Sequence, residues 1–376
     1  MYRASRRNVL QAALLVLALT LVSSLALAQY TATTLVKNTG KNGDAQLINP
    51  WGLAFAPAAP FWLSDQGSGL STLYDGKGVK LGLVVTVPPA SGSGLGSPTG
   101  IVYNGSAEFQ IDNWTSAFLF ATLDGTICGW SHFDPSTALI GVNSSAIGAV
   151  YTGLAITSKP SGNFLYAADF ANNKVDVYDG KFKFVKSFTD TNLPAGYVPS
   201  GIQDINGQVY VAFAKTNGAS GGYIDIFKED GTFVKTLIHG KPLNQPWGFA
   251  VAPANFGALS NTLLISNNTN SGTINGFNPT TGALVGTVMN AAGKVIHFNH
   301  LGNRVRWRHR FERQRESALL HRWTEEQPQR CVRRDQSSVT IAALRVALRR
   351  VVLYSAALTS GCFSSPMPMI TKDVSG

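Results

Sequence analysis

A six-residue phrase occurs twice in the chain, as Pro50-Trp51-Gly52-Leu53-Ala54-Phe55 and as Pro246-Trp247-Gly248-Phe249-Ala250-Val251. Weaker copies fill the gap, at Ser97-Pro98-Thr99-Gly100-Ile101, Tyr151-Thr152-Gly153-Leu154-Ala155 and Pro199-Ser200-Gly201-Ile202. The marker glycines therefore stand at 52, 100, 153, 201 and 248, separated by 47 to 53 residues. A unit of that length, made of several short strands with turn residues between them, fits a propeller blade. Helical solenoids use shorter units with 3.6-residue periodicity.

The third unit shows the strands directly. Gly153 to Thr157, Asn163 to Ala168, Lys174 to Tyr178 and Phe182 to Phe188 alternate apolar and polar residues, and Asp179-Gly180 makes the hairpin between the last two. Period-two alternation bounded by such turns is what half-buried antiparallel strands require. The third strands of the five units carry Tyr74, Trp130, Tyr178, Phe227 and Phe277, an aromatic for each gap between neighbouring sheets. One blade cannot bury both of its faces, so a closed ring is the expected arrangement. Thr31 to Val36 precedes the first marker, alternates like a strand, and is expected to complete the last blade from the other end of the chain. The expected fold is all-β, a six-bladed β-propeller with five blades intact.

Residues 1–28 read as an export signal. Arg3, Arg6 and Arg7 precede an apolar run from Val9 to Ala26, and Ala26-Leu27-Ala28 is a small-residue cleavage site. The mature chain is expected to start at Gln29 and to be secreted or periplasmic, through the general route or, given Ser5-Arg6-Arg7, the twin-arginine route. No membrane attachment is expected after cleavage. The three cysteines, Cys128, Cys331 and Cys362, form neither a disulfide framework nor a zinc motif. Residues 29–296 must therefore be stabilised by their own core.

The formal net charge of +10 does not belong to the repeats. Residues 30–300 hold 14 Lys, no Arg, 13 Asp and 2 Glu, which leaves them near neutrality and argues against a nucleic-acid surface. Thirteen arginines then occur from Arg304 to Arg350, while 35 of the 38 glycines lie between residues 30 and 300. A shifted reading frame explains both trends, since a glycine codon read out of phase supplies the GG of arginine and tryptophan codons. Back-translated with permitted codons and read one base later, residues 300–337 can yield Trp-Gly-Ile-Ala-Phe, then Asn-Leu-Leu-Tyr-Phe-Thr, then Gly-Val-Phe-Gly-Ala-Ile. These are the marker, second strand and third strand of a sixth blade. Residues 297–376 are accordingly expected to be an out-of-frame, poorly structured basic tail. The alternation of Arg304, Arg306, Arg308 and Arg310 with Val305, Trp307 and His309 resembles a nucleic-acid strip only superficially. Within the tail, 340–358 could form a short helix.

The Asn49-Pro50-Trp51-Gly52-Leu53-Ala54 opening, its recurrence at Gln245-Pro246-Trp247-Gly248-Phe249 and the hidden third copy resemble a family of secreted bacterial six-bladed propellers. That family is related to NHL-repeat proteins and, more distantly, to the gluconolactonase and strictosidine synthase type. The resemblance covers about residues 30–296 and implies fold and export; it brings no established reaction.

In a propeller, the loops leading into the first strands and out of the second strands share one mouth of the central channel. This places Asn49, Trp51, Asp65, Thr99, Asp169, Asn244, Trp247 and Asn267 at a candidate ligand site, beside Gln66, Asp124, Asn172, Ser200 and Asn268. Asp65, Asp169 and Asn267 are hard oxygen donors that could hold calcium, or turn residues bonded to their local backbone. A lactonase-type site also needs an acid at the start of a first strand, where this chain has Trp51, Thr99, Thr152, Ser200 and Trp247. With Glu108 and Glu229 as the only glutamates of the repeats, a paired-carboxylate hydrolase has little support. His132 and His239 fall on different blades and suit neither a triad nor a metal. The expected function is a monomeric binding or scaffold module for a carbohydrate, peptide or surface ligand, without catalysis and without nucleic acid. The alternative is a calcium-dependent lactone or ester hydrolase.

Restoring the shifted frame is expected to raise soluble yield well above that of the chain as written, measured by expressing both side by side. Equal yields, or a gene with one uninterrupted coding signal across residues 297–301, would remove the frameshift.

Overall fold

The computed structural model describes residues 30–298, except 41, 42, 58 and 159–161, together with the backbone of three strands at 306–307, 340–346 and 349–355. The segment expected to be an export signal lies outside the described residues, as does the rest of 299–376. Among the described residues no helix is long and apolar enough to cross a membrane.

Five four-stranded antiparallel sheets follow one another in propeller arrangement, each in simple sequence order. The first blade is Pro50–Ala54, Phe61–Asp65, Leu70–Tyr74 and Lys80–Thr86. The third, read most closely from sequence, is Tyr151–Thr157, Phe164–Asp169, Lys174–Asp179 and Phe184–Phe188. Its limits differ from the expected ones by two residues at most. The innermost strands of the other blades are Pro98–Tyr103, Tyr197–Ile205 and Pro246–Val251. The outer hairpins share one device. Asp75, Asp134, Asp179, Asp230 and Asn278 each accept backbone N–H groups two to four residues ahead, at 2.7 to 3.2 Å. These Asx turns satisfy the loop backbone and set the strand reversal.

The sheets cover one another as the aromatic positions suggest. Tyr74, Trp130, Tyr178, Phe227 and Phe277 are all buried. One apolar cluster joins Trp62 and Leu73 of the first blade to Phe118, Phe120 and Trp130 of the second, with Trp62 stacked on Phe118 at 4.1 Å between centroids. Equivalent clusters lie between the second and third, third and fourth, and fourth and fifth blades. Cys128 is a buried free thiol in the first of these gaps, and burial pushes its pKa up to about 12, so it behaves as a small apolar side chain.

The marker glycines explain how closely the inner strands approach. In all five blades the innermost pair changes register across the marker, between Pro50 and Gly52, Pro98 and Ile101, Tyr151 and Gly153, Pro199 and Gly201, and Pro246 and Phe249. Such a bulge adds local twist and brings the glycine against the next blade. A β-carbon on Gly52 would strike the Thr99 carbonyl oxygen, one on Gly100 the Leu154 nitrogen, and one on Gly201 the Trp247 carbonyl oxygen. In the second, third and fourth blades the residue before the marker then bonds across the gap. Thr99 Oγ1 donates to Tyr151 O at 2.6 Å, Thr152 Oγ1 to Ser200 O at 2.9 Å and Ser200 Oγ to Pro246 O at 2.7 Å.

The strand Tyr30–Lys37 lies between the fifth and first blades. Tyr30 packs in a cluster with Phe256, Leu264 and Ile274 of the fifth blade, and its hydroxyl donates to Phe256 O at 2.8 Å. Val36 packs with Leu53, Phe61 and Leu63 of the first. This strand pairs antiparallel with Thr340–Val346, which pairs with Arg349–Ser355, which pairs in turn with Arg306–Trp307. The order within that sheet is not the sequence order. The helix expected over 340–358 is corrected where the segment is described: Thr340–Val346 and Arg349–Ser355 are paired antiparallel strands, in keeping with Ile341, Val351 and Val352, whose β-branched side chains favour extended backbone.

Gly201→Ala is expected to destabilise the chain by about 2–4 kcal/mol, because the clash is with backbone that cannot rotate away. Gly82→Ala, where a β-carbon meets nothing within 4 Å, is expected to stay within about 0.5 kcal/mol of the parent. Thermal melting of the two variants checks the pair.

Candidate functional site

The inner strands start at one end of the channel, and register brings the ends of the second strands to that same end: Pro50 is opposite Asp65, Pro98 opposite Thr122, Tyr151 opposite Asp169 and Pro246 opposite Asn267. A backbone bond repeats there in every blade. Gln66, Leu123, Phe170, Thr216 and Asn268 donate N–H to the carbonyls of Asn49, Ser97, Val150, Gly196 and Gln245, at 2.8 to 3.2 Å. Asn49 and Gln245 both adopt positive φ, 47° and 53°, just before their prolines. The mouth is thus a rigid ring of turns, with the expected residues at its start.

Two of those residues reach the axis. Trp51 and Trp247 belong to the first and fifth blades, yet their rings meet edge-on at 5.2 Å between centroids. Trp51 Nε1 also donates to Thr152 O of the third blade at 3.0 Å, so its indole spans the channel. The two indoles thus lie together across the channel, a tryptophan floor to the mouth. Trp247 is 6% exposed and its Nε1 has no acceptor. Thr99, Thr152 and Ser200 hold the equivalent position in the other three blades, where their hydroxyls are consumed by the bonds between blades. Sequence reasoning placed both tryptophans at the mouth; it had no signal that they touch.

The polar residues serve mainly as clips. Asp169 Oδ1 accepts from Val150 N at 3.0 Å and Asn172 N at 3.3 Å, and Oδ2 accepts from Asn172 Nδ2 at 2.7 Å. Asn267 Oδ1 accepts from Asn244 N at 2.9 Å, while its Nδ2 donates to Pro242 O and Thr273 Oγ1. Asn49 Nδ2 donates to Gln66 Oε1 at 2.7 Å. Asp65 is fully buried; Thr72 Oγ1 donates to its Oδ2 at 2.6 Å, and Oδ1 has no partner. Burial raises the pKa of Asp65 well above the usual carboxylate range and raises that of Asp169, despite the hydrogen bonds that oppose it. Calcium takes six to eight oxygen ligands. Asp65, Asp169 and Asn267 lie on three blades, and the oxygens of the last two already face N–H donors, which a cation would have to displace. Among the described residues no three His, Cys, Asp or Glu side chains gather in a metal-binding group. The donor set does not fit calcium.

No family model matches the chain. It is 33% identical over 281 residues to the uncharacterized protein R648 of Acanthamoeba polyphaga mimivirus, a match covering 69% of this chain and 68% of that protein. Among solved structures, a protein of unknown function from Bacteroides thetaiotaomicron superposes with a TM-score of 0.50 at 12% identity, covering 86% of this chain and 76% of that one. A gluconolactonase from Xanthomonas campestris gives 0.49 at 12% identity, covering 89% and 93%.

Sequence reasoning passed over two interior acids, Asp176 and Asp225. The third strands place Thr72, Cys128, Asp176, Asp225 and Asn275 at one equivalent buried position, two residues before the aromatic. Asp176 is well served, with Lys174 Nζ at 2.9 Å and hydroxyls of Tyr151 and Ser187 at 3.0 and 2.6 Å. Asp225 is not. Thr236 and Asp190 face it, but neither of its oxygens completes a well-formed hydrogen bond. Burial, opposed by the Thr236 hydroxyl and reinforced by the Asp190 carboxylate, raises its pKa to about 7. The signal was an aspartate inside the apolar alternation Tyr223-Ile224-Asp225-Ile226-Phe227.

Because the folded chain holds this proton more tightly than the unfolded chain, Asp225 stabilises least when ionised. Its contribution falls as pH rises from about 4 to about 7 and reaches its floor above that. Asp225→Asn is expected to melt like the parent near pH 4 and to be more stable by about 2–4 kcal/mol at pH 8. A difference between the two melting curves that does not change with pH would contradict this.

Proposed function

The chain belongs to the family of the mimivirus protein R648, and from its channel mouth we infer that it works by binding, as a module that holds a ligand over the Trp51–Trp247 floor. The observation that carries this reading is the Trp247 indole N–H, buried beside Trp51 without an acceptor. A buried donor left unpaired costs about 1–3 kcal/mol, which a ligand oxygen would recover. Indoles also supply wide, stiff contact area at low entropic cost. The ligand class that suits this floor is a carbohydrate, a peptide or a surface group with a carbonyl or hydroxyl able to reach the axis. Nucleic acid is disfavoured by the near-neutral repeats.

The same reading takes the working protein as an exported monomer with six blades. The sixth would be completed by Tyr30–Lys37 and by the strands that the shifted frame encodes. The near-repetition of the Trp-Gly marker supports this.

Screening the full chain against glycan and peptide arrays, followed by calorimetry on the strongest hit, tests the mouth. Trp247→Phe retains a ring against Trp51 and removes the donor; it is expected to weaken that ligand about tenfold, with circular dichroism confirming that the variant is folded. Unchanged affinity in both Trp247→Phe and Trp51→Ala would place the ligand elsewhere. Calcium-dependent binding lost in Asp169→Ala would favour the hydrolase alternative.

A further inference from the structure

Between the second and third blades the propeller holds a groove of ≈ 390 Å³ whose lining includes none of the residues placed at the channel mouth. Its size falls in the range of about 300–1,000 Å³ usual for small-molecule sites. One side is the outer strand Leu139–Asn143 of the second blade and the turn Ser145–Ile147 that follows it. The other is the third strand of the third blade, with Lys174, Asp176 and Tyr178, and the outer hairpin with Phe182 and Phe184.

The polar groups form one directed chain. Asp176 can only accept, so Tyr151 donates its single hydroxyl proton to Asp176 Oδ2 at 3.0 Å. Tyr151 must then accept from Tyr178, whose hydroxyl is 2.6 Å away, and Tyr178 must accept from Ser144 Oγ at 2.9 Å. Ser187 spends its own proton on Asp176 Oδ1. Burial raises the pKa of both tyrosines, which keeps these protons in place. Every hydroxyl proton of the chain is therefore committed inward. Ser144 Oγ, at the partly exposed end, is left with lone pairs only. Lys174 Nζ donates to Asp176 at 2.9 Å and reaches Ser187 Oγ at 3.5 Å, which leaves the ammonium with donor capacity toward the groove. The Lys174–Asp176 pair cancels in charge, so the groove attracts neither an anion nor a cation in particular.

Beside this acceptor and donor stand apolar groups that the fold does not cover. Phe184 is 57% exposed and Ile147 58% exposed, and Phe184 is braced edge-on by Tyr178 at 5.9 Å. An acceptor and a donor at fixed positions, a neutral net charge and a braced aromatic face together match a small neutral ring that carries hydroxyls on its edge and C–H bonds on its face. We propose that this groove is a saccharide-binding site, with Ser144 Oγ and Lys174 Nζ bonding neighbouring hydroxyls and Phe184 lying under the sugar ring. The proposal is independent of the channel mouth and stands or falls without it.

The probes are methyl β-glucoside, methyl β-galactoside, N-acetylglucosamine and cellobiose, each titrated into the full chain and followed by saturation-transfer NMR and calorimetry. At least one is expected to bind with a Kd on the order of 1 mM. Phe184→Ala is expected to weaken it about tenfold and Ser144→Ala about fivefold, since one removes the stacking face and the other the acceptor. Phe184 is exposed, so an unchanged melting temperature is its folding control; Ser144→Ala removes a donor to Tyr178, and its folding control is an unchanged circular-dichroism spectrum. Trp247→Phe is expected to leave this binding unchanged. The proposal is overturned if no probe binds at tens of millimolar, or if a bound saccharide is indifferent to both Phe184→Ala and Ser144→Ala.

Discussion

The inner strands of the second, third and fourth blades each lean on the next through a glycine and a side-chain donor. The glycine removes the β-carbon that would otherwise strike the neighbouring backbone, at Gly100 and Gly201, or crowd it, at Gly153, and the residue before it bonds across the space so gained, as Thr99, Thr152 and Ser200 do. Close approach and hydrogen bonding depend on each other here. Without the glycine the hydroxyl would stand too far from the carbonyl it serves, and without the hydroxyl a buried carbonyl would lose a partner in a region with little water. The bulge at the same position supplies the twist that lets successive sheets fan out.

Farther from the axis the gaps widen and the contact changes character. The hydroxyls give way to Leu, Val and Ile, then to the aromatics of the third strands, which fill the outer part of each wedge. A few polar groups break this rule. Asp176 is accommodated because a lysine and two hydroxyls close around it, whereas Asp225, at the equivalent point one blade on, lacks such partners and keeps its proton to near-neutral pH. The same register position thus yields a satisfied network in one blade and a pH-sensitive weak point in the next. The first of these networks leads to the groove between the second and third blades.

At the axis, tryptophan replaces the small hydroxyl residue in the first and fifth blades. An indole is too long to bond to the adjacent strand and instead projects into the channel, where Trp51 finds a carbonyl on the third blade and Trp247 finds only Trp51. The surrounding asparagines and aspartates, which resemble ligand donors in a linear reading, are drawn into the turns because each lies within hydrogen-bonding reach of backbone N–H groups exposed at a strand end. Turn formation competes with ligand binding for the same oxygens, and for Asp169 and Asn267 turn formation prevails.

The amino-acid sequence by itself determined the repeat, and through it the blade count of the described repeats, the strand order, the outer Asx turns and the buried aromatics. All of these follow from local periodicity and turn chemistry acting within about fifty residues. It also marked Trp51 and Trp247 as exceptional, by their recurrence. Only the tertiary structure decided that these two rings, 196 positions apart, share one space, that Trp247 lacks an acceptor, and that Ser144 ends a hydroxyl chain begun at Asp176. The reason is geometric. Periodicity states which face of its own sheet a side chain occupies, but contacts between blades depend on the angle and stagger of separate sheets, and those emerge only when all the wedges are packed together.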